Sequence, residues 1–308
     1  MRVALFGGTG FVGSYLVEEL LERNHQPVLL VRPGSERKVP QSEKCILIQG
    51  DLDDPAAIRS TIEGSTAVIF SVGIIREDRK RGQTFDKIQF EHAKMVMDAA
   101  VDLGVSRFIL MSANGVRPDG TAYQRSKYMA EEYLKTTDLQ GTIFRPSVIF
   151  GDPRGRTEFC TQLRDELIQL PLPAPLFYQG LLPTGAGSFL LSPIHVRDVA
   201  TIFVKALELP ETIGQTFVLG SREAVDWKTT VGMIAKASGR RKWMVPVPAS
   251  IVKIVAALMD RFRFFPITRD QLAMLLEGNV ADPEKAFHVF GIDPITFVTE
   301  NLAYLKET

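Results

Sequence analysis

The stretch RVALFGGTGFVGSYLVEEL, Arg2 to Leu20, decides the fold. A short apolar run, Arg2–Phe6, breaks into glycines, and apolar residues then resume at Val12, Leu16 and Leu20 with the spacing of one helix face. Gly7 permits a tight turn, Gly10 lets the backbone approach a pyrophosphate, and Gly13 lets the helix pack close to the strand. The helix N-terminus offers free N–H groups and the positive end of its dipole to that diphosphate. Gly7, Thr9, Gly10, Phe11, Val12 and Gly13 are therefore expected to cradle a dinucleotide. The alternative is a tight turn that is structural only.

Working outward, short apolar runs alternate with helical patterns through the first half of the chain. The runs are Arg2–Phe6, Pro27–Val31, Cys45–Ile48, Ala67–Ser71, Arg107–Met111 and Thr142–Phe144, and Ala93, Val96, Met97, Ala100 and Leu103 share one helix face. Nearly continuous apolar strands separated by helices predict a parallel sheet covered on both sides, a doubly wound Rossmann α/β fold of about seven strands. After Gly151 the texture changes. Leu167–Phe189 is rich in proline and glycine and shows neither period; Ser192–Leu207 reads as a turn into a helix; Gln215–Gly220 reads as a strand returning to the sheet. The expected division is a dinucleotide-binding domain over 1–150 and 191–220. A smaller discontinuous C-terminal lobe over 151–190 and 221–308, mainly helical at its end, is expected to shape an apolar substrate site.

Composition narrows the function classes. Of 308 residues, 45% are hydrophobic and 23% charged, with 36 basic balanced by 36 acidic residues, so no net field favours nucleic acid. Cys45 and Cys160 are the only cysteines and have no metal-ligand spacing; His25, His92 and His288 are expected at the surface, and no metal site is expected. No stretch approaches the roughly 18 apolar residues of a membrane span, and a cytoplasmic protein is expected. The apolar segment Ala249–Phe265, interrupted by Lys253, Asp260, Arg261 and Arg263, is expected to pack on the lobe. Its alternative is an interfacial helix at the inner face of a membrane.

The second strand bears on which cofactor is held. An acidic residue at its end would hydrogen-bond the ribose 2′-hydroxyl, whereas a basic one accommodates a 2′-phosphate. Here Arg32 stands at the strand end, followed by Arg37 and Lys38. NADP(H) is the expected cofactor and NAD(H) the alternative. Asp51 and Leu52, ending the third strand, are placed against the adenine, with a helix cap before Pro55 as the other reading of Asp51.

Tyr123 and Lys127 lie four apart in TAYQRSKYMAEEYL, on one helix face. A lysine ammonium beside a phenol stabilises the phenolate, so this pair suits proton transfer to a substrate oxygen. Taken alone, the same spacing describes an ordinary solvated helix face. His195 before its helix reads as structural beside Asp198, and Arg76–Arg81 (REDRKR) as a solvated loop or a lid over the cofactor.

GGTGFVG, YQRSK, FRPSVIFG (Phe144–Gly151) and SPIHVRDVA together resemble the extended and atypical short-chain dehydrogenase/reductase superfamily. SVGIIRE (Ser71–Glu77), RFILMSANGVRPD, TIFRPSVIFG and TRDQLAMLLEGNV (Thr268–Val280) resemble, more narrowly, bacterial relatives of the nucleotide-binding accessory subunit of respiratory complex I. The resemblance implies Tyr123 as acid/base and Lys127 as the residue that holds the nicotinamide ribose and tunes Tyr123. It also implies that Ser71, Val72 and Gly73 line the cofactor and that Pro146 and Ser147 approach the nicotinamide. The superfamily's catalytic Ser/Thr position holds Ala113 here; Ser112, one residue earlier, is the candidate catalytic hydroxyl although a strand turns its side chain to the other face, and Asn114 is the alternative to it. The expected function is an NADP(H)-dependent oxidoreductase on a small, largely apolar carbonyl, hydroxyl or quinone-like compound. A cofactor-binding accessory or assembly protein of a respiratory complex is the alternative, and an NAD-dependent epimerase or dehydratase the third reading. Oligomeric state stays open.

Overall fold

In the structure, a computed structural model that describes residues 1–251 and 269–306, the first strand is the apolar run the sequence predicts. β1 (Arg2–Phe6) leads through the glycine turn into α1 (Phe11–Glu22). β2 (Gln26–Val31), β3 (Ile46–Gln49), α2 (Pro55–Ile62), β4 (Ala67–Phe70), α3 (His92–Asp102), β5 (Arg107–Met111), α4 (Ala122–Lys135) and β6 (Gln140–Pro146) follow. α5 (Val196–Ala206), β7 (Thr216–Leu219) and α6 (Glu284–Phe290) complete the set around the sheet.

The seven strands lie in the order β7-β6-β5-β4-β1-β2-β3, with every neighbouring pair parallel. β1 pairs on one side with β2 (Leu5 opposite Leu29) and on the other with β4 (Leu5 opposite Ile69). The order therefore reverses at β1, and the switch point lies between β1 and β4. In such a sheet a crevice opens outside the carboxyl ends of the strands at this point. Side chains of Ala4, Phe6, Val68, Phe70, Phe108 and Leu110 pack with α2, α3 and α4 in one buried cluster. β5 is buried throughout and begins with Arg107, whose guanidinium donates to the carbonyls of Gln140 and Ala206 and to the hydroxyls of Thr142 and Thr212. A buried cation needs such partners.

The chain divides into two units: Met1–Pro146 with Val196–Leu219 and Lys285–Ile292, and Ser147–His195 with Gly220–Glu284 and Asp293–Thr308. The sequence boundaries differ mainly at 285–292, read there as part of the C-terminal lobe. The cause is aromatic packing: Phe290 of α6 lies 5.7 Å from Phe144 and 5.2 Å from Phe217, ring centre to ring centre, and its carbonyl accepts from Lys205 Nζ. The second unit is built from small pieces. Ala174–Tyr178, inside the stretch read as irregular, pairs in parallel with Met244–Pro248, and the helix Trp227–Ala237 buries Trp227, Val231 and Ile234. Most of Ala249–Phe265, with the choice between core helix and interfacial helix, lies outside the described residues.

Two histidines depart from expectation. His25 and His92 are buried, while His288 is exposed. His25 is tucked against the chain terminus, with Nδ1 3.2 Å from the Met1 amine and Nε2 3.3 Å from Glu208; burial lowers its pKa first, and the adjacent amine adds to this. His92 Nε2 meets Asp53 Oδ1 at 3.0 Å, and hydrogen bonds from Lys87 and then His92 hold that carboxyl below its ordinary range.

Candidate functional site

The glycine turn is defined by contacts between its own backbone atoms. Gly7 has φ +99°, a conformation that side chains rarely adopt, and a β-carbon there would come within 2.7 Å of Ser71 Oγ. A β-carbon on Gly13 would lie 2.0 Å from Gly7 O, so α1 presses directly on the turn. Gly10 differs. Its φ of −79° suits any residue, and a β-carbon would meet only Gly7 O, at 3.2 Å. Apart from that one tight contact, the side of Gly10 where a side chain would project is a cradle with no other group within 4 Å. Gly10, at the N-cap of α1, brings no side chain of its own to the turn, and the first turn of α1 carries no acidic residue. This cradle fits the diphosphate of a dinucleotide, negatively charged and in need of donors.

The remaining expected residues follow the carboxyl ends of successive strands. Arg32 is the first residue after β2 and is exposed. Asp51 and Leu52 follow β3, where Leu52 packs on the buried cluster and Asp51 Oδ1 accepts from the Asp53 amide at 2.9 Å. Asp51 is not the cap of α2; that cap is Asp54, which accepts from the amides of Ala56 and Ala57. Two intervening residues close a turn on Asp51 and pass the capping position on to Asp54. Ser71 follows β4 and donates from Oγ to Phe6 O at 3.0 Å, stitching the ends of β1 and β4 together at the switch point.

Tyr123 and Lys127 stand on the first two turns of α4, whose start is fixed by a capping box between Thr121 and Gln124. Lys127 is buried, and its ammonium donates to Met111 O at 2.8 Å and Val72 O at 3.2 Å, bridging the ends of β5 and β4. A β-carbon on Gly73 would lie 3.3 Å from Nζ, so the glycine makes room for the lysine tip. Burial lowers the Lys127 ammonium to about 8, opposed by the negative charge of Glu131 one turn further on. Glu131 is itself fully buried and forms a two-pronged ion pair with Arg145 of β6. Tyr123 keeps some exposure, with Phe85 edge-on to its ring at 5.6 Å. Its desolvated phenol is pushed up to about 12 rather than lowered as its lysine neighbour would suggest. Desolvation is the cause of the shift, and the lysine's ammonium is engaged with main-chain carbonyls.

Ser112 is buried and its Oγ has no hydrogen-bond partner, while its amide donates to Phe144 O. Ala113 is the partly exposed neighbour, and the Asn114 amide donates to Pro146 O at 2.9 Å. Pro146 ends the first unit; Ser147 begins the second, where its hydroxyl donates to Asn279 O. His195 lies edge-on to Phe150 at 5.0 Å in that unit. Arg79–Arg81 form an exposed turn with Arg79 paired to Glu77. Phe85 and Glu131 were missed as contributors. Glu131 was legible as the next position on the Tyr123–Lys127 face, whereas nothing local places Phe85 against a residue 38 positions away. Among the described residues no cluster of His, Cys, Asp or Glu could hold a metal, and no helix is long and apolar enough to cross a membrane.

Residues 7–168 match the profile of a protein family described as NAD(P)H-binding, over more than half of the chain. The chain belongs to this NAD(P)H-binding family. Its wider relatives bear out the likeness to atypical short-chain dehydrogenases and to a complex I subunit. The NAD(P)H-binding protein is 24% identical over 309 residues to the mitochondrial NADH-ubiquinone oxidoreductase 40 kDa subunit of Neurospora crassa, spanning 98% of this chain and 78% of that one. It is 27% identical over 266 residues to a ceramide reductase of Caulobacter vibrioides, spanning 84% and 77% of the two chains. Among solved structures, the NAD complex of Thermus thermophilus UDP-glucose 4-epimerase superposes with a TM-score of 0.73 at 18% identity, covering 100% of this chain and 98% of that one, a likeness of fold.

Proposed function

We propose that this NAD(P)H-binding protein is an NADP(H)-dependent oxidoreductase acting on a small or lipid-like carbonyl or hydroxyl compound. The observation that carries the reading is Lys127, buried at the carboxyl ends of β4 and β5 with its ammonium beside Gly73 and one helical turn from Tyr123. A buried cation whose tip lies at the mouth of the sheet serves a ligand there; a solvated helix face would leave it in water. Bound NADPH would supply the hydride, and Tyr123 Oη would pass a proton to the substrate oxygen. Lys127 would hold the nicotinamide ribose and, once a ligand draws its ammonium away from the carbonyls, would stabilise the phenolate. The exposed Arg32 supports the 2′-phosphate preference, and the relative named for ceramide reduction supports an apolar substrate.

The test is Tyr123→Phe, which keeps the ring against Phe85 and removes only the hydroxyl. Cofactor affinity is expected to stay within about twofold while turnover in a panel of aldehydes, ketones and quinones falls by ~10²–10⁴. A second reading, a cofactor-binding accessory or assembly role in a respiratory complex, is favoured by Ala113 in place of the superfamily's hydroxyl and by the Neurospora relative. Full complementation of a deletion strain by the Tyr123→Phe protein would establish that reading against catalysis.

A further inference from the structure

We propose that the second unit docks on an anionic lipid surface through Trp243, Leu170 and Leu172, flanked by Arg240 and Arg241. The proposal is independent of whether the first unit catalyses. The chain as a whole carries no net charge, yet from Trp227 to Ile251 it contains five basic residues (Lys228, Lys236, Arg240, Arg241 and Lys242) and no acidic one. Within that basic stretch stands Trp243, 85% exposed. The protein has two tryptophans, and the other, Trp227, is 2% exposed and donates from its indole to Pro175 O. An exposed tryptophan next to exposed leucines and arginines has the composition of a docking patch, not of a scattered surface residue.

The patch is built, not incidental. Ala174–Tyr178 and Met244–Pro248 run parallel with Ala174 opposite Met244, and the Ala174 amide donates to Trp243 O at 2.7 Å. The residues just before each strand are therefore side by side: Gln169–Pro173 (QLPLP) on one and Arg240–Trp243 on the other. Lys242 locks them together, donating to Leu170 O at 2.6 Å and Ile168 O at 3.2 Å. Its pKa is lowered, by burial and then by the adjacent Arg240 charge, and no acidic group enters the balance. Residues 169–172 bend into the strand, and Leu170 (45% exposed) and Leu172 (65%) are left in water on the segment that Lys242 ties to the tryptophan's own.

An apolar ridge with a Trp at its edge and arginines around it matches the membrane interface, where the indole sits at headgroup depth and the cations meet anionic phosphates. A second copy of the chain is less suitable. Arg240 and Arg241 lie just before Trp243 in the chain, so two copies meeting there would bring like charges together. One Trp and two Leu side chains also fall well short of the roughly 800 Å² per partner of a stable protein interface.

The experiment uses the full chain with vesicles of phosphatidylcholine alone or with 30% phosphatidylglycerol, read by flotation and by tryptophan emission. The expected result is binding that needs the anionic lipid, weakens with added salt, and shifts the emission to the blue, with quenching by brominated acyl chains. Arg240→Ala with Arg241→Ala is expected to lower partitioning roughly 25-fold, at about fivefold per charge. Trp243→Ala is expected to abolish both the blue shift and the quenching, with an unchanged Tm because the side chain is exposed. Leu182→Ala, an exposed leucine outside the ridge, is expected to bind as wild type. Equal binding to both vesicle types, or wild-type binding by Trp243→Ala, would overturn the proposal. So would a dimer that Trp243→Ala dissociates, which would make the ridge a protein interface.

Discussion

The two units bury ionisable groups by different means. In the first, Lys127 is satisfied by carbonyls that a regular parallel sheet leaves free at its strand ends, and Glu131 by the guanidinium of a strand residue, Arg145. In the second, Glu158 is buried at the start of the short helix Phe159–Leu163, accepts the amides of Cys160 and Thr161, and meets Tyr304 Oη at 3.3 Å. Desolvation still dominates there and raises the Glu158 carboxyl to about 7. Regular secondary structure provides a place for a charge whose partners lie far apart in sequence. At Glu158 the partners are two amides of its own short helix and one distant phenol, with no cation among them, and burial leaves the carboxyl poised near neutrality.

The largest expected effect breaks the regular side of this contrast. Gly13→Ala puts a methyl 2.0 Å from Gly7 O and 2.7 Å from the backbone of Gly8, atoms that cannot move without dismantling the turn. A loss of more than about 4 kcal/mol in urea unfolding is expected, a large fraction of the total stability of a domain. A stable, cofactor-binding Gly13→Ala protein would show that α1 does not need its close approach to the turn.

The irregular side is tested by pH. Glu158 titrates near 7 when folded and near 4.5 when unfolded, so its contribution to stability is fully present below pH 4.5 and is lost as pH rises through 7. Glu158→Gln imitates the protonated form at every pH. The variant is expected to lack the wild-type decline between pH 5 and 8, and to exceed wild type at pH 8 by about 3 kcal/mol. Parallel stability–pH curves for the two proteins would place the charge elsewhere.

What was legible in the sequence divides along the same line. Arg2–Phe6 and Arg107–Met111 match their strands residue for residue because strands buried on both faces read as unbroken apolar runs. The parallel, doubly wound character of the sheet follows from the alternation of strands and helices, while its strand order is set by pairings between segments far apart in sequence. The second unit resisted reading because Ala174–Tyr178 and Met244–Pro248 are short, carry prolines and pair only with each other. α6 was assigned to the wrong lobe because its anchor, Phe290 against Phe144 and Phe217, is a contact between residues far apart in sequence. The buried state of His25 depends on the chain terminus folding back to it, which no local pattern announces. The raised pKa of Tyr123 likewise comes from enclosure, which the spacing of Tyr123 and Lys127 cannot show.

A smaller effect sharpens the cofactor side. If Arg32 meets a 2′-phosphate, Arg32→Ala should remove a charge-assisted bond of about 1.5–3 kcal/mol and bring NADPH down to the affinity of NADH, a roughly ten- to hundredfold change. Isothermal titration with both nucleotides checks it. An NADPH preference that survives the substitution would assign selectivity to Arg37 or Lys38 instead.

The most direct test of the account compares Gly10→Val with wild type in a cofactor titration followed by a melting curve. Gly10 has ordinary backbone angles and a β-carbon there would press only on Gly7 O, at 3.2 Å, so valine is expected to leave the chain folded at a cost of about 1–3 kcal/mol for the weakened helix cap and the shift of that carbonyl. The branched side chain would occupy the place of the diphosphate. The account predicts that NADPH raises the Tm of the wild type and leaves that of folded Gly10→Val unmoved, with no measurable heat of binding. An undiminished NADPH-induced rise in the variant would contradict the central claim that the cofactor lies on the Gly7–Gly13 turn.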